Sequence, residues 1–522
     1  MNKKTDLILS VDTGTQSIKA VLFDLYGNIA GIKKTKIIPY FSEKPGYAEQ
    51  NPEYFYEKLA ETTKKLLVEN KSKIKYIKAV TLTTQRGTVV NIDKNGKPLR
   101  PAILWLDQRQ AKVKSYPKIP AKISLRMINM KEAVIHAVKN AECNWIIQNQ
   151  PEIWEKTHKY LYLSGWLTFK LTEELKDSTG NMVGYMPFDY KRHKWVSPNH
   201  RNAKMFPVNP EMLPELVKPS DLLGYITEKA SKETGIPKGL PLIAAASDKA
   251  SEVLGSGVFS PDTACLSYGT TATVQTVRKK YIEIIPFFPA YPGAAQNYFH
   301  TEIMIYRGFW MVNWFKEQFG CIETAKAKKT GKTPEELFDE MIKEIPPGSM
   351  GLTLQPYWSP GVKIPGTEAK GAVIGFGDVH NRAHFYRAIL EGLAYALKEG
   401  LQRTEKRTKT KIKKVIVSGG GSQSEQAMQI TADIFNMPAE RPHIYETSAL
   451  GAAINAAVGM KYFYSYEDAV KAMSGTGKSY FPQEKNKEIY DKLYNEVYLK
   501  MYKRLKKLYK HIQDITGYPE KI

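Results

Sequence analysis

Two short polar turns carry the residue types needed to hold phosphate. In LILSVDTGTQSIKAVLFD an apolar run ends at Asp12-Thr13-Gly14-Thr15-Gln16, and a second apolar run, Ala20 to Phe23, leads away. That pattern reads as a β-hairpin with a polar turn. Thr13, Thr15 and Gln16 can donate hydrogen bonds, Gly14 exposes backbone N–H groups, and Asp12 places a carboxylate at a strand end. Such a turn can cradle phosphate oxygens while the carboxylate holds a hydrated magnesium ion, although Asp-Thr-Gly also serves in ordinary hairpin turns. The pattern recurs in TACLSYGTTATVQTV, with its turn at Gly269, Thr270 and Thr271. Two such hairpins, one opening each half of the chain, point to a duplicated fold with a phosphate site between the halves. A P-loop would need a glycine-rich loop running into Lys-Ser/Thr and a helix, and none is present.

Three further groups stand where strands should end. Gln85-Arg86, and Asp107-Gln108-Arg109 with Trp105 close by, supply the polar side chains that usually line a small-molecule pocket in an α/β domain. Asp248 follows the small-residue run PLIAAAS and precedes a helix. A carboxylate there is aimed into whatever crevice that edge faces, and it can equally cap the helix. The segment VIVSGGGSQSEQ reads as strand, triple-glycine turn, then a helix beginning near Ser424. Its glycines let a nucleotide lie close to the backbone, with helix N–H groups and Ser422 near phosphate or ribose. It lacks the spaced glycines and following acidic residue of a dinucleotide fingerprint. His136, His158 and His193 show no metal-ligand spacing.

The elements that must position these groups follow from pattern and punctuation. A chain of 522 residues is too long for one core and should form two large domains, divided at 1–250 and 251–485, with 486–522 a basic amphipathic helix. Asn51-Pro52 starts a helix, and the next segment alternates like strands around a tight turn at Lys94-Asn95-Gly96-Lys97. HFYRAILEGLAYALKEGLQRT gives a long helix, and ETSALGAAINAAVGM a helix of small residues suited to close packing.

Composition narrows the class. With 42% hydrophobic and 25% charged residues the chain is of globular type, and no apolar run approaches the roughly 20 residues that cross a bilayer. Asp12 interrupts the N-terminal apolar segment too early for a secretory signal. Three scattered cysteines, Cys143, Cys265 and Cys321, fit a reducing, cytoplasmic compartment rather than a disulfide framework or zinc site. The net charge of +23 suggests a nucleic-acid or acidic-surface binder as a rival reading. Its densest clusters, 398 to 414 and 498 to 512, are interleaved with helical apolar spacing, which favours solvated helix faces.

Taken in order, VDTGTQSIKAVLFD, GYAEQNPE, TTQRGTVVNIDKNGKPLRPAILWLDQR, ASDKASEVLGSGV, LSYGTTATV, GLTLQPYWSPG, FYRAILEGLAY, VSGGGSQSEQAMQITADIFNMP and ETSALGAA make the chain resemble the FGGY family of carbohydrate kinases, from about residue 6 to 475. The resemblance implies an α/β fold of two ribonuclease H-like domains of the actin and hexokinase ATPase type, with a cleft between them. It assigns Asp12 to the first phosphate and metal site and Asp248 to the position of the catalytic base. It matches Gly269, Thr270 and Thr271 to the second phosphate loop, and Gly420, Gly421, Gln423 and Gln426 to the adenosine region. Gln85, Arg86, Trp105 and Asp107 fall in its sugar pocket.

The implied reaction has Asp248 accept the proton of a sugar hydroxyl as that oxygen attacks the γ-phosphoryl group of ATP. Magnesium near Asp12 and the two threonine-bearing turns would stabilise the transferring group, and domain closure would exclude water. Glycerol kinases carry Gln-Arg-Glu in the first pocket segment, whereas Gly87 follows Arg86 here; xylulokinases carry histidine at the Arg86 position, while ILWLDQR looks more like theirs. The expected acceptor is therefore a linear ketose or polyol resembling xylulose, with glycerol or a sugar acid as alternatives. An acceptor-free actin-like or chaperone-like ATPase is the rival from another class. Partners are expected to be the sugar or polyol and ATP, without membrane or nucleic acid, and with a homodimer left open.

Overall fold

The computed structural model describes residues 5–113, 131–286, 288–359, 361 and 365–518, with residues 131–133 described by backbone alone. They form two compact units: Met1–Phe259, Arg278–His300 and Glu446–Ser474 make the first, and Ser260–Val277, Thr301–Tyr445 and Gly475–Ile522 the second.

The first unit is built on a six-stranded sheet. Its strands are β1 (Leu7–Thr13), β2 (Ser17–Phe23), β3 (Ile29–Lys36), β4 (Ile77–Thr84), β5 (Leu222–Tyr225) and β6 (Pro241–Ala244), lying in the order β5-β6-β4-β1-β2-β3. β1 and β2 form the antiparallel hairpin that the apolar runs foretell, joined by Gly14, Thr15 and Gln16. β1 runs parallel to β4, and β4 parallel to β6. Every residue of β1 is buried, as a central strand covered on both faces requires.

Local punctuation behaves as read. The Asn51 side chain accepts from the Glu53 amide at the start of the helix Pro52–Glu69, whose buried face includes Phe55, Leu59, Leu66 and Leu67. At the 94–97 turn the Asp93 carboxylate accepts from the Asn95 and Lys97 amides while Gly96 takes φ +75°.

The second unit repeats the hairpin plan. β7 (Thr263–Tyr268) and β8 (Ala272–Arg278) are antiparallel, and β9 (Lys414–Ser418), β10 (Ala439–Pro442) and β11 (Thr476–Tyr480) extend the sheet in the order β8-β7-β9-β10-β11. β7 pairs parallel with β9, as β1 does with β4. The long helix Arg382–Thr408 supplies much of this unit's core through Tyr386, Ile389, Leu393 and Leu397.

Three boundaries differ from the sequence expectation. Glu446–Ser474 and Arg278–His300, placed by the reading in the second domain, fold with the first. For Glu446–Ser474 the reason lies in helix packing: Thr447–Gly459 lies so close to Asp248–Gly255 that a methyl group on Gly255 would stand 1.9 Å from the Thr447 carbonyl oxygen, and one on Gly451 1.9 Å from that of Ser251. Nor is the C-terminal segment a separate body. The helix Glu484–Lys492 continues through a π-helical turn, Leu493–Tyr498, into Leu499–Thr516, burying Tyr490, Tyr494, Tyr498 and Met501 within the second unit. Lys500, Lys503, Arg504 and Lys507 are exposed on its outer side. Among the described residues no helix is long and apolar enough to cross a membrane.

Candidate active site

In the first unit, strand ends bring acidic and polar groups together. Asp12 is the penultimate residue of β1 and stands opposite Lys19 of β2 across the hairpin. Lys19 Nζ lies 3.9 Å from the Asp12 carboxylate and 2.5 Å from Glu446, which is 427 positions away in sequence. Burial pushes the Asp12 carboxyl up to about 6; Lys19 pulls it down, while Asp248, Glu446 and Glu252 add to the rise. Burial works against the charge of Lys19, but Asp12 and Glu446 outweigh it and hold the ammonium above the usual lysine range.

Asp248 opens the helix Asp248–Gly255, its carboxylate accepting from the Lys249 amide at 2.8 Å. Burial raises its affinity for a proton, opposed by the charges of Arg86 and Lys249 and by that amide. Asp248 and Glu252, the latter paired with Lys249 at 2.8 Å, therefore act on Asp12 through their charge.

The first turn is bound to the expected pocket residues by hydrogen bonds. Trp105 Nε1–H donates to Thr15 Oγ1 at 3.1 Å, and Thr15 donates to Gln85 Oε1 at 2.9 Å. The Gln85 amide N–H donates to the Thr13 carbonyl at 2.9 Å. Thr13 Oγ1, Gln85 Nε2 and Ser247 Oγ are buried without a hydrogen-bond partner, a cost usually met by a ligand or ordered water. Arg86 lies over the ring of Tyr291, 5.8 Å from its centroid. Gln16 is exposed at the turn's tip.

Two details depart from the reading of the turns. The Gly14 N–H is consumed within the turn by the Ser17 carbonyl at 3.1 Å, so glycine shapes this loop rather than offering its own donor. Asp107 is committed: it accepts from the Ala48 amide at 2.7 Å and from the Arg109 amide, Nε and Nη2 at 2.8 to 2.9 Å. Arg109 in turn reaches Glu49 at 3.0 Å and stacks on Tyr47 and Trp145. Four accepted hydrogen bonds leave this carboxylate little capacity for a ligand, and its service is to fix the loop that presents Trp105.

In the second unit, the Gly269 and Thr270 carbonyls accept from the Phe309 and Trp310 amides at 3.0 and 3.3 Å, anchoring the turn, while Thr271 donates to the Tyr306 carbonyl at 3.3 Å. Thr270 itself is exposed. Gly419, at φ +85°, lets the end of β9 lie against this turn: a methyl there would meet the Tyr268 carbonyl carbon and oxygen at 2.9 Å. Gly421 is pressed against the Phe309 ring, whereas nothing lies within 4 Å of a methyl placed on Gly420. Gln423 is exposed and Gln426 half-buried at the start of the helix Glu425–Phe435, which Ser424 caps. The structure thus gathers Gly269–Thr271 with Gly419–Gly421, leaving an open face at Gly420. Ser422 is buried and donates to the Gly419 carbonyl at 2.7 Å, so its hydroxyl is spent on the turn.

The donor set fits magnesium in one way. Among the described residues no three His, Cys, Asp or Glu side chains converge as metal ligands. An acid-rich group around a single well-placed carboxylate, Asp12, suits an ion that keeps most of its water and shares its remaining positions with phosphate oxygens.

Sequence reading missed Lys19, Glu252, Glu446 and Tyr291. Lys19 was within reach, because a three-residue turn sets the register that puts it opposite Asp12. Glu446 and Tyr291 had no local signal, since each comes from a segment that returns to the first unit.

Two units, each built on a hairpin whose first strand pairs parallel with a later strand, and each carrying a polar Gly-Thr turn, define an ATPase fold of the actin and hexokinase type. The chain belongs to the FGGY family of carbohydrate kinases: the family's N-terminal domain matches residues 7–255 and its C-terminal domain residues 264–460. It is 29% identical over 521 residues to the xylulose kinase of Lactococcus lactis, covering 98% of this chain and 97% of that one. It is 30% identical over 492 residues, covering 94% and 92%, to a protein of Escherichia coli K12 described as an uncharacterized sugar kinase, YgcE. The crystal structure of a ligand-bound xylulose kinase from Lactobacillus acidophilus superposes with a TM-score of 0.81 at 21% identity, over 97% of this chain and 99% of that one. The protein is a sugar kinase, a phosphotransferase with an alcohol group as acceptor and ATP as donor. That class leaves no place for the acceptor-free ATPase as a description of the chain.

Proposed function

We propose that the protein transfers the γ-phosphoryl group of ATP to a hydroxyl of a linear ketose or polyol resembling xylulose. The observation that carries this reading is the hydrogen-bond chain Trp105–Thr15–Gln85–Thr13 beside Asp12, with Thr13 Oγ1, Gln85 Nε2 and Ser247 Oγ, the last next to Asp248, buried without a partner. Support for the acceptor comes from the xylulose kinase relative, matched over nearly its whole length, and from Gly87, which denies the pocket the carboxylate that follows the arginine in glycerol kinases. Arg86, whose guanidinium lies over Tyr291, would favour a sugar acid instead if its charge met the acceptor, an alternative that gluconate tests.

In this reading Asp248 is the general base. Burial raises its proton affinity while Arg86 and Lys249 keep the carboxylate form available, so it can take the hydroxyl proton as the oxygen attacks phosphorus. Gln85 and Arg86 orient the acceptor through polar groups at the rim of the first turn, and Trp105, whose N–H is given to Thr15, through its exposed ring. Asp12 would hold magnesium, which when bound supplies charge stabilisation for the phosphoryl oxygens. Thr270, with the turn that Thr271 anchors, meets the donor phosphates, and Gly420, Gln423 and Gln426 the adenosine, while Gly421 packs the turn against Phe309.

The test is ADP release measured over a panel of xylulose, xylitol, glycerol and gluconate. Stimulation by xylulose or xylitol supports the reading. Stimulation by gluconate or glycerol alone overturns the acceptor, and slow turnover indifferent to all four overturns the transfer.

A further inference from the structure

A buried turn that the proposed reaction leaves unused stands directly behind the Asp248 helix. Asp177, wholly buried at the strand Lys176–Ser178, accepts from the Ser164 hydroxyl, the Ser178 amide and Asn181 Nδ2, each at 2.7 Å. A carboxylate only accepts, so four converging donors, the Gly165 amide included, select Asp here over Asn. The result is a rigid turn, Thr179–Asn181, closed by Ser178, whose hydroxyl accepts from the Gly180 amide at 3.1 Å.

This turn bears on Asp248 in two ways. The Gly180 carbonyl accepts from the Ser247 amide at 3.1 Å, fixing the residue immediately before the Asp248 helix. The contact is also steric: a methyl on Gly180 would lie 2.7 Å from the Ala246 methyl, 3.0 Å from Ala246 Cα and 3.2 Å from the Ala245 carbonyl oxygen. From the other side Thr83 and Ser251 donate to the Ala246 carbonyl at 2.8 and 3.0 Å. The three residues before Asp248 are therefore clamped on two sides, with no slack for a single added carbon.

We infer that Asp177, Gly180 and Asn181 are positioning residues for Asp248, holding the Ala246-Ser247 junction so that the carboxylate meets the acceptor hydroxyl. This rests on the reading of Asp248 as the base. A displacement on the order of 1 Å in a reacting group can cost about 10²-fold in rate, and such a displacement is what crowding at Gly180 would impose.

The experiment compares wild type, Gly180→Ala, Gly180→Ala with Ala246→Gly, Asn181→Ala and Asp248→Asn. For each, the ratio of acceptor phosphorylation to acceptor-free ATP hydrolysis is measured, with whichever of xylulose, xylitol, glycerol or gluconate gives the largest ADP release in wild type. Partial misfolding lowers both activities together and leaves the ratio alone; displacing the base lowers the ratio. Gly180→Ala is expected to lower it at least tenfold, and removing the Ala246 methyl, the nearest obstruction, to recover several-fold of the loss. Asn181→Ala, which withdraws one donor without adding bulk, should lower the ratio by a smaller factor and keeps the inference testable if Gly180→Ala does not fold. An unchanged ratio in the folded variants, or a loss that Ala246→Gly does not relieve, overturns the inference. Should Asp248→Asn itself keep a normal ratio, the base assignment is what fails; should Asp248→Asn lose transfer while the turn variants do not, the positioning role alone fails.

Discussion

The Trp105 indole N–H donates to Thr15 Oγ1 at 3.1 Å, so the first turn and the strand-end loop after residue 100 share one hydrogen-bond chain that continues to Gln85. Trp105 is 42% exposed, which leaves its ring face open beside that chain. Trp105→Phe keeps an aromatic face, though a smaller one, and removes the donor. It should raise the KM for the acceptor about fivefold, the worth of about 1 kcal/mol for one hydrogen bond, and leave the KM for ATP unchanged. Steady-state kinetics with each substrate varied in turn would show it; an equal change in both KM values would count against a role confined to the acceptor.

Asp12 and Asp248 interact through their charge but are expected to fail differently. Asp248→Asn should lower sugar phosphorylation by roughly 10²- to 10⁴-fold while ATP still binds, as calorimetry would report. Asp12→Ala should instead raise the magnesium concentration needed for half-maximal ATP turnover. An unaltered magnesium titration would remove Asp12 from the metal site.

The two neighbouring glycines of the second unit separate packing from ligand contact. Gly421→Ala forces a methyl into the Phe309 ring and should cost roughly 1–3 kcal/mol of stability, the range for overpacking. Gly420→Ala meets open space, so its unfolding midpoint should stay near that of the parent. If the adenosine lies over this turn, the added methyl raises the KM for ATP. Normal ATP kinetics in Gly420→Ala would place the nucleotide elsewhere.

Glu142 supplies a pH test away from the site. Burial, aided by Asp107, pushes its carboxyl from 4.5 up to about 8, against the pull of its own amide and of Arg109. Between those values the folded chain keeps a proton that the unfolded chain has released, so this group's contribution to stability falls as pH rises from 4.5 to about 8. Glu142→Gln, which cannot ionise, should therefore melt higher than wild type at pH 8 and equally at pH 4. The thermal midpoints at the two pH values decide it, and a gain of the same size at both would refute the assignment.

Much of the local structure was legible because its causes are local. Alternating apolar residues around Gly14 and Gly269 make hairpins wherever they occur, Asn51-Pro52 caps and starts a helix, and Ser424 does the same after the triple glycine. The basic character of the C-terminal helix was equally plain. That its tyrosine face is absorbed into the second unit was not, since Tyr490, Tyr494 and Tyr498 read as core only once a partner surface exists.

The sequence by itself determined the family, the two Gly-Thr turns, the strand ends that carry Asp12 and Gln85 and the helix start that carries Asp248, because hydrogen-bonding geometry over a few residues suffices for each. Only the tertiary structure decided that Glu446 comes to Lys19, that Arg278–His300 brings Tyr291 over Arg86, and that the Ala48 amide comes to Asp107. For Glu446, which immediately precedes Thr447–Gly459, the physical reason is the close crossing of that helix on Asp248–Gly255, where glycine meets backbone. Such a contact depends on shapes far apart in the chain, which no periodicity within either segment can encode.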